Sequence, residues 1–169
     1  MKKKLALYAS FVLAIGILVW IDQYTKALAE TKLAYGPVVL IKGVFEFYYI
    51  VNTGTVASAF SGQAFILGLV SALICIALIV LLVMVPKSKR YSWLIFADIL
   101  LISGAIGNII DRFSLHYVRD FLYFKLINFP IFNVADSYAT VGMTILAILI
   151  LFVYKEEDLE NIKNRHKDA

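Results

Sequence analysis

The sequence predicts an all-α membrane protein, four transmembrane helices carrying a small extracytoplasmic β-sheet cradle, and three observations point there. Hydrophobic residues fill 62% of the 169 positions and charged ones 17%, with a mean hydropathy of +0.84; soluble domains are about half apolar and about a quarter charged. A chain this short has too little interior to hide so much apolar surface, which leaves lipid as its solvent. Four apolar runs approach the roughly 20 residues that a spanning helix needs. The basic residues gather at the ends of those runs rather than across them.

The runs are Leu5–Ile21, Phe65–Val85, Ser92–Ile110 and Tyr138–Tyr154. The second carries no charge; the first and fourth are short and are expected to extend about a turn into their flanks. Asp98 interrupts the third and reads as a helix–helix contact that snorkels toward water. Before the first run stand Lys2, Lys3 and Lys4; between the second and third stand Lys87, Lys89 and Arg90; after the fourth come Lys155, Lys163, Arg165 and Lys167. Basic residues in short segments mark the cytoplasmic side, so both termini are expected there. The excess of 16 Lys and Arg over 12 Asp and Glu then reads as membrane orientation. It forms no aromatic-interleaved patch, and no nucleic-acid partner is expected. The start of the chain also resembles a secretory signal peptide ending near Ala27-Leu28-Ala29. Its apolar run is too long for one, and Asp22 and Lys26 intervene before those alanines, so an uncleaved first span is expected.

On that topology Asp22–Ala64 and Asp111–Ser137 face outward, and segments so long in so small a chain point to function. In the first, Val38–Ile41 and Val44–Val51 around Lys42-Gly43 read as two strands, apolar on both faces, in a sheet lying on the membrane surface. The residues after Tyr154 read as a solvated helix end. No repeat or second domain is visible, so 1–169 is read as a single membrane domain. Cys75, the only cysteine, lies inside an apolar run and reads as a buried hydrophobe; one cysteine excludes a disulfide framework.

Chemistry concentrates in the second outer segment. Asp120 and Asp136 are separated by 16 positions, which lets the chain fold back and present both carboxylates to one water. Two close carboxylates cannot both ionise easily, so one keeps a proton while the other acts as base, and the pair owns the titration. An ordinary explanation stands beside this one. Asn133 followed three residues later by Asp136 also fits a helix cap with a carboxylate in its first turn, and Asp120 could pair with Arg119 or Arg112. The run Gly104-Ala105-Ile106-Gly107-Asn108 offers small residues for close helix approach and an amide seeking partners. Asp111 and Arg112 then read as an ion pair at the water interface.

Five motifs together make the chain resemble the lipoprotein signal peptidase family, signal peptidase II, across about residues 5 to 154. They are Asp22-Gln23-Tyr24-Thr25-Lys26, Asn52-Thr53-Gly54, Gly107-Asn108-Ile109-Ile110-Asp111-Arg112, Val118-Arg119-Asp120-Phe121 and Phe132-Asn133-Val134-Ala135-Asp136. The chain departs from the family pattern at Thr55-Val56-Ala57 and at Arg119, where an apolar residue is usual. An arginine beside Asp120 would disturb proton sharing, but neighbours on an extended segment point oppositely, so Arg119 is expected to face away.

The resemblance implies an aspartic endopeptidase of the bacterial cell (inner) membrane, with its active site at the outer face. It implies catalysis by Asp120 and Asp136, and support of substrate or pair by Asp22, Lys26, Asn52, Gly54, Asn108, Asp111, Arg112, Asn133 and Ala135. The implied substrate is a prolipoprotein already carrying diacylglyceryl on its cysteine, cut just before that residue. Membrane lipid is the other partner, no metal or organic cofactor is implied, and a monomer is expected. A small ion or proton transporter, suggested by Asp98, or a structural subunit are the competing classes.

Overall fold

The computed structural model describes residues 2–54 and 63–164, so Thr55-Val56-Ala57, Arg165, His166 and Lys167 lie outside the described residues. In chain order the elements are α1 (Lys2–Lys32), β1 (Val38–Ile41), β2 (Phe45–Asn52), α2 (Gln63–Met84), α3 (Ser92–Ser114), β3 (Val118–Phe124), α4 (Val134–Ile148, continued by a π turn over Leu149–Val153) and α5 (Glu156–Asn164). Four helices are long and apolar enough to cross a membrane, which makes this a multi-pass membrane protein with a small sheet at one end.

The burial pattern is what lipid as solvent dictates. The third helix is the hub, packed against α1, α2 and α4, and its buried face runs from Ala97 to Gly107 through Ser103 and Gly104. The surrounding helices turn Leu13, Ile17, Ile66, Leu73, Ile79 and Leu151 outward. Apolar side chains gain nothing by leaving hydrocarbon, so interhelical contact goes to small residues that let backbones approach. At Gly104 a Cβ would lie 2.5 Å from the Ala135 carbonyl oxygen, and at Gly142 2.9 Å from the Ala97 carbonyl oxygen. Helices α3 and α4 therefore touch backbone to backbone, which fixes the start of α4 against the middle of α3.

Hydropathy underestimates three of the helices. The first does not end near Ile21 but continues to Lys32, because Ala27, Leu28, Ala29 and Glu30 are good helix formers and Asp22 and Lys26 pair at i, i+4. Asp22 and Lys26 thus project from a helix, not from an outer loop. The third helix runs on to Ser114 and carries Asp111 and Arg112. The fourth begins at Val134, four residues earlier than its apolar run, because Asn133 caps it.

The hairpin β1–β2 turns at Gly43, whose φ of 74° suits a residue without Cβ. The sheet has a third strand, within the second outer segment: β3 pairs antiparallel with β2, in the order β1-β2-β3. Asp120 therefore lies on a strand, opposite Ile50. At the other end of the bundle, α5 folds back on the α2–α3 link. Arg90 bonds Asp158 at 2.7 Å and 3.0 Å, and the Tyr91 hydroxyl donates to the Asp158 carbonyl at 3.1 Å. Asp98 is 1% exposed and neither of its carboxylate oxygens has a hydrogen-bond partner among the described residues. It stays inside the bundle rather than snorkelling, on the buried face that it shares with Ala97, Leu101 and Ile102.

Candidate active site

The site forms where the C-terminal half of α3, the N-terminus of α4 and the strands β2 and β3 meet. It is assembled by three asparagine amides, each oriented by a group that can only donate. The Asn52 Oδ1 accepts the Gly54 N–H at 2.9 Å, so its Nδ2 points to Asp120 Oδ2 at 2.8 Å. Gly54 makes that turn with φ at 86°. The Asn133 Oδ1 accepts the Asp136 N–H at 2.9 Å, so its Nδ2 donates to Asp120 Oδ1 at 2.7 Å and to Asn108 Oδ1 at 3.0 Å. The Asn108 Oδ1 also accepts from Lys26 Nζ at 2.9 Å, and its Nδ2 donates to Asp136 Oδ1 at 2.8 Å. Backbone N–H groups and an ammonium thus decide every amide orientation, leaving the amide hydrogens for the two carboxylates.

Asp136 caps α4 and also faces the cluster. Its Oδ2 accepts the Asn133 N–H at 3.1 Å, closing a capping box on α4. That cap uses one oxygen, and the other is held by Asn108. Asn133 bridges the two aspartates directly, through its side chain to Asp120 and its backbone to Asp136. Asp120 is 1% exposed. Burial pushes its carboxyl up from 3.8 to about 6, with the charge of Asp136 adding to the rise and the amides of Asn52 and Asn133 opposing it.

A second layer lies behind the pair. Lys26, fully buried, reaches Asp22 Oδ2 at 2.9 Å and Asp111 Oδ2 at 3.4 Å. Asp22 Oδ1 accepts the Ala135 N–H at 2.9 Å, tying α1 to the first turn of α4. Ala135 has no exposed surface and sits where α4 meets Gly104 and Gly107 of α3, so its small side chain permits the close approach. Asp111 is fully buried. It does not form an interfacial pair with Arg112, because Lys26 and Arg119 claim it inside the protein. Arg112 reaches Ser71 of α2 at 3.4 Å instead. Arg119 faces away from Asp120: its guanidinium holds Asp111 at 2.7 Å and Gln23 at 3.0 Å. Burial lowers the basicity of that guanidinium, but its bonds to Asp111 outweigh this and hold it above the usual arginine range.

Two cavities flank the pair. One, about 530 Å³, is walled by Phe124, Ile127, Phe132, Thr140 and Val141 and reaches Asp136. The other, about 260 Å³, runs beside α3 between Ser71 and Ile74 of α2 and Ala139 of α4, and reaches Asn108 and Arg112. Both are mainly apolar clefts opening beside polar groups, the usual character of a ligand site.

The sequence model of Signal peptidase (SPase) II matches residues 14–152. The chain belongs to the signal peptidase II family. It is 38% identical over 149 residues to a lipoprotein signal peptidase of Trichormus variabilis, covering 88% of this chain and 92% of the relative. It is likewise 38% identical over 146 residues to one of Streptococcus thermophilus, covering 86% and 92%. Among solved structures, a bacterial membrane enzyme obtained by the in meso method at 1.9 Å resolution superposes with a TM-score of 0.75 at 29% identity, covering 86% of this chain and 95% of that one. The family match spans the four helices and the sheet, so every residue of the site falls within it.

Of the residues singled out from sequence, Asp120, Asp136, Asn52, Asn108 and Asn133 share one hydrogen-bonded cluster, with Gly54 setting the Asn52 turn. Asp22, Lys26, Asp111 and Ala135 form the layer behind it. Arg112 lies on the α2 side within electrostatic reach of Asp136 and Asp120, with no hydrogen bond to either among those described. Gln23 escaped notice. Its Nε2 donates to Asp22 at 3.1 Å, to the Gly107 carbonyl at 3.0 Å and to Asp111 at 3.2 Å. Its place between Asp22 and Lys26 on a helix that outlasts its apolar run was the only available signal.

Proposed function

We propose that this chain is an aspartic endopeptidase that removes signal peptides from diacylglyceryl-modified bacterial prolipoproteins, cutting before the lipidated cysteine, with Asp120 and Asp136 as the catalytic pair. The observation that carries the reading is the single residue Asn133 bonded to both carboxylates in a buried cluster. A purely structural cap on α4 needs Asp136 and Asn133 but has no use for a buried Asp120.

The roles follow from surroundings. Asp136, with one oxygen in the cap of α4 and the other held by Asn108, acts as base toward water. Asp120, pushed up to about 6, acts as acid. Asp136 takes a proton from the water, the hydroxide oxygen bonds to the scissile carbonyl carbon, and Asp120 gives its proton to the carbonyl oxygen. On collapse the C–N bond breaks, the proton held by Asp136 passes to the leaving nitrogen of the cysteine, and one hydroxyl of the intermediate returns its proton to Asp120 as the new carboxyl forms. The two apolar cavities suit the acyl chains and the signal helix. The clustering of Lys2–Lys4, Lys87, Lys89, Arg90 and Lys155 supports termini in the cytoplasm and the pair at the outer face of the cell membrane. One chain, acting as a single domain and a monomer, holds the whole site.

The test is the product. The purified chain, given a diacylglyceryl-modified precursor and the same precursor unmodified, is expected to cut only the former. Mass spectrometry should place the new N-terminus at the lipidated cysteine. Equal cleavage of both precursors, or a cut elsewhere, would refute the substrate assignment.

A further inference from the structure

We propose that Arg119 is a positioning residue for the reaction, holding the strand that carries Asp120 at a fixed distance from α3. The inference rests on the reading of Asp120 as catalytic. Its basis is a chain of alternating charges, Asp22–Lys26–Asp111–Arg119–Glu30, that runs behind the site. Asp111 is the pivot: one oxygen accepts Arg119 Nη2 at 2.7 Å, and the other accepts the Arg119 backbone N–H at 3.0 Å and Nε at 3.3 Å. Strand β3 is thus pinned to α3 by backbone and side chain of the residue immediately before Asp120. Lys26, on the other side of the same pivot, holds Asn108 and through it Asp136. One buried carboxylate therefore sets the position of both aspartates, through Arg119 toward one and Lys26 toward the other.

The geometry separates this from an ordinary surface ion pair. The Arg119 side chain is 11% exposed and that of Asp111 0%. A planar guanidinium meeting a carboxylate in two parallel contacts fixes orientation as well as distance, which a lysine cannot do. Its outer contact, to the 43% exposed Glu30 at 3.4 Å, has the character of the weak surface pairs that contribute little. In an active site a displacement of about 1 Å can cost about 100-fold in rate. A loosened β3 shifts Asp120 without removing any group that touches substrate, so the loss belongs to kcat and not to KM.

The experiment measures kcat, KM and unfolding temperature for the full chain in detergent with lipidated precursor, for wild type, Arg119→Leu and Arg119→Lys. Arg119→Leu is expected to lose between about 10- and 100-fold in kcat with KM within about two-fold. Arg119→Lys keeps the charge without the fork, so it should fall between wild type and Arg119→Leu. A kcat per folded molecule equal to wild type in Arg119→Lys, or in Arg119→Leu despite a lower unfolding temperature, overturns the proposal. If Arg119→Leu does not fold, Arg119→Lys alone decides. Activity retained by Asp120→Asn would overturn the reading of Asp120 itself, a failure distinguishable because it leaves the Arg119 series without a rate difference to explain.

Discussion

Asp120→Asn is expected to gain stability relative to wild type as pH rises, although it should be inactive. The Asp120 carboxyl is pushed from 3.8 to about 6 by burial, so between those values the folded chain binds a proton that the unfolded chain has released. A group raised in this way contributes stability at low pH and loses it as pH climbs through its folded value. Above about 6 the folded state carries the full cost of a buried charge, about 3 kcal/mol for such a rise. Asparagine never ionises. Its amide also meets the donors of Asn52 or Asn133 imperfectly, but that penalty is the same at every pH and cancels in the comparison. The difference in unfolding free energy between variant and wild type should therefore move by about 3 kcal/mol in favour of the variant from about pH 3 to about pH 7. Denaturation of both proteins across that range measures it, and a difference that stays flat would mean that Asp120 is not held protonated by its surroundings.

Lys26→Met should be the most destabilising single change in the cluster. The ammonium has no exposed surface and stands between Asp22 and Asp111, with the Asn108 side-chain oxygen Oδ1 at 2.9 Å. Methionine keeps much of the volume but leaves Asp22 as a buried carboxylate without its cation. Breaking a buried pair from one side typically costs about 3–5 kcal/mol. Asp111 keeps Arg119, so the loss should fall mainly on the link between Asp22 and α4. Adding Asp22→Asn to Lys26→Met should recover part of the loss, because the stranded charge disappears; double-mutant comparison of unfolding free energies checks this. If Lys26→Met unfolds like wild type, the buried pair does not hold the helices together.

The four spans were legible because apolar length is the property lipid selects, and Phe65–Val85 carries no charge. Helix ends were less legible because hydropathy reports where lipid stops, not where the helix does. Beyond Ile21 the first helix continues for three turns on helix propensity and on contacts with residues more than 80 positions away. Strand β3 was hidden by Arg119 and Asp120, two charges within a run that otherwise reads as a strand; their partners, Asp111 and the two asparagines, come from α3, β2 and the α4 cap. The aspartates and asparagines themselves were legible from their motifs. What no spacing could supply was direction: that Asp111 turns inward to Lys26 rather than outward to water, and that Arg119 reaches back to α3. Asp98 was visible as an anomaly, and the fold leaves it one.

Cleavage of a diacylglyceryl-modified precursor by wild type, Asp120→Asn and Asp136→Asn, each confirmed folded, tests the central claim most directly. Asparagine preserves shape and removes the proton that the mechanism moves. Both variants should bind precursor and cut it at least about 100-fold more slowly than wild type. A rate near wild type in either variant would make that aspartate a structural partner, a cap on α4 or a bonding site for Asn52, and would contradict the catalytic pair.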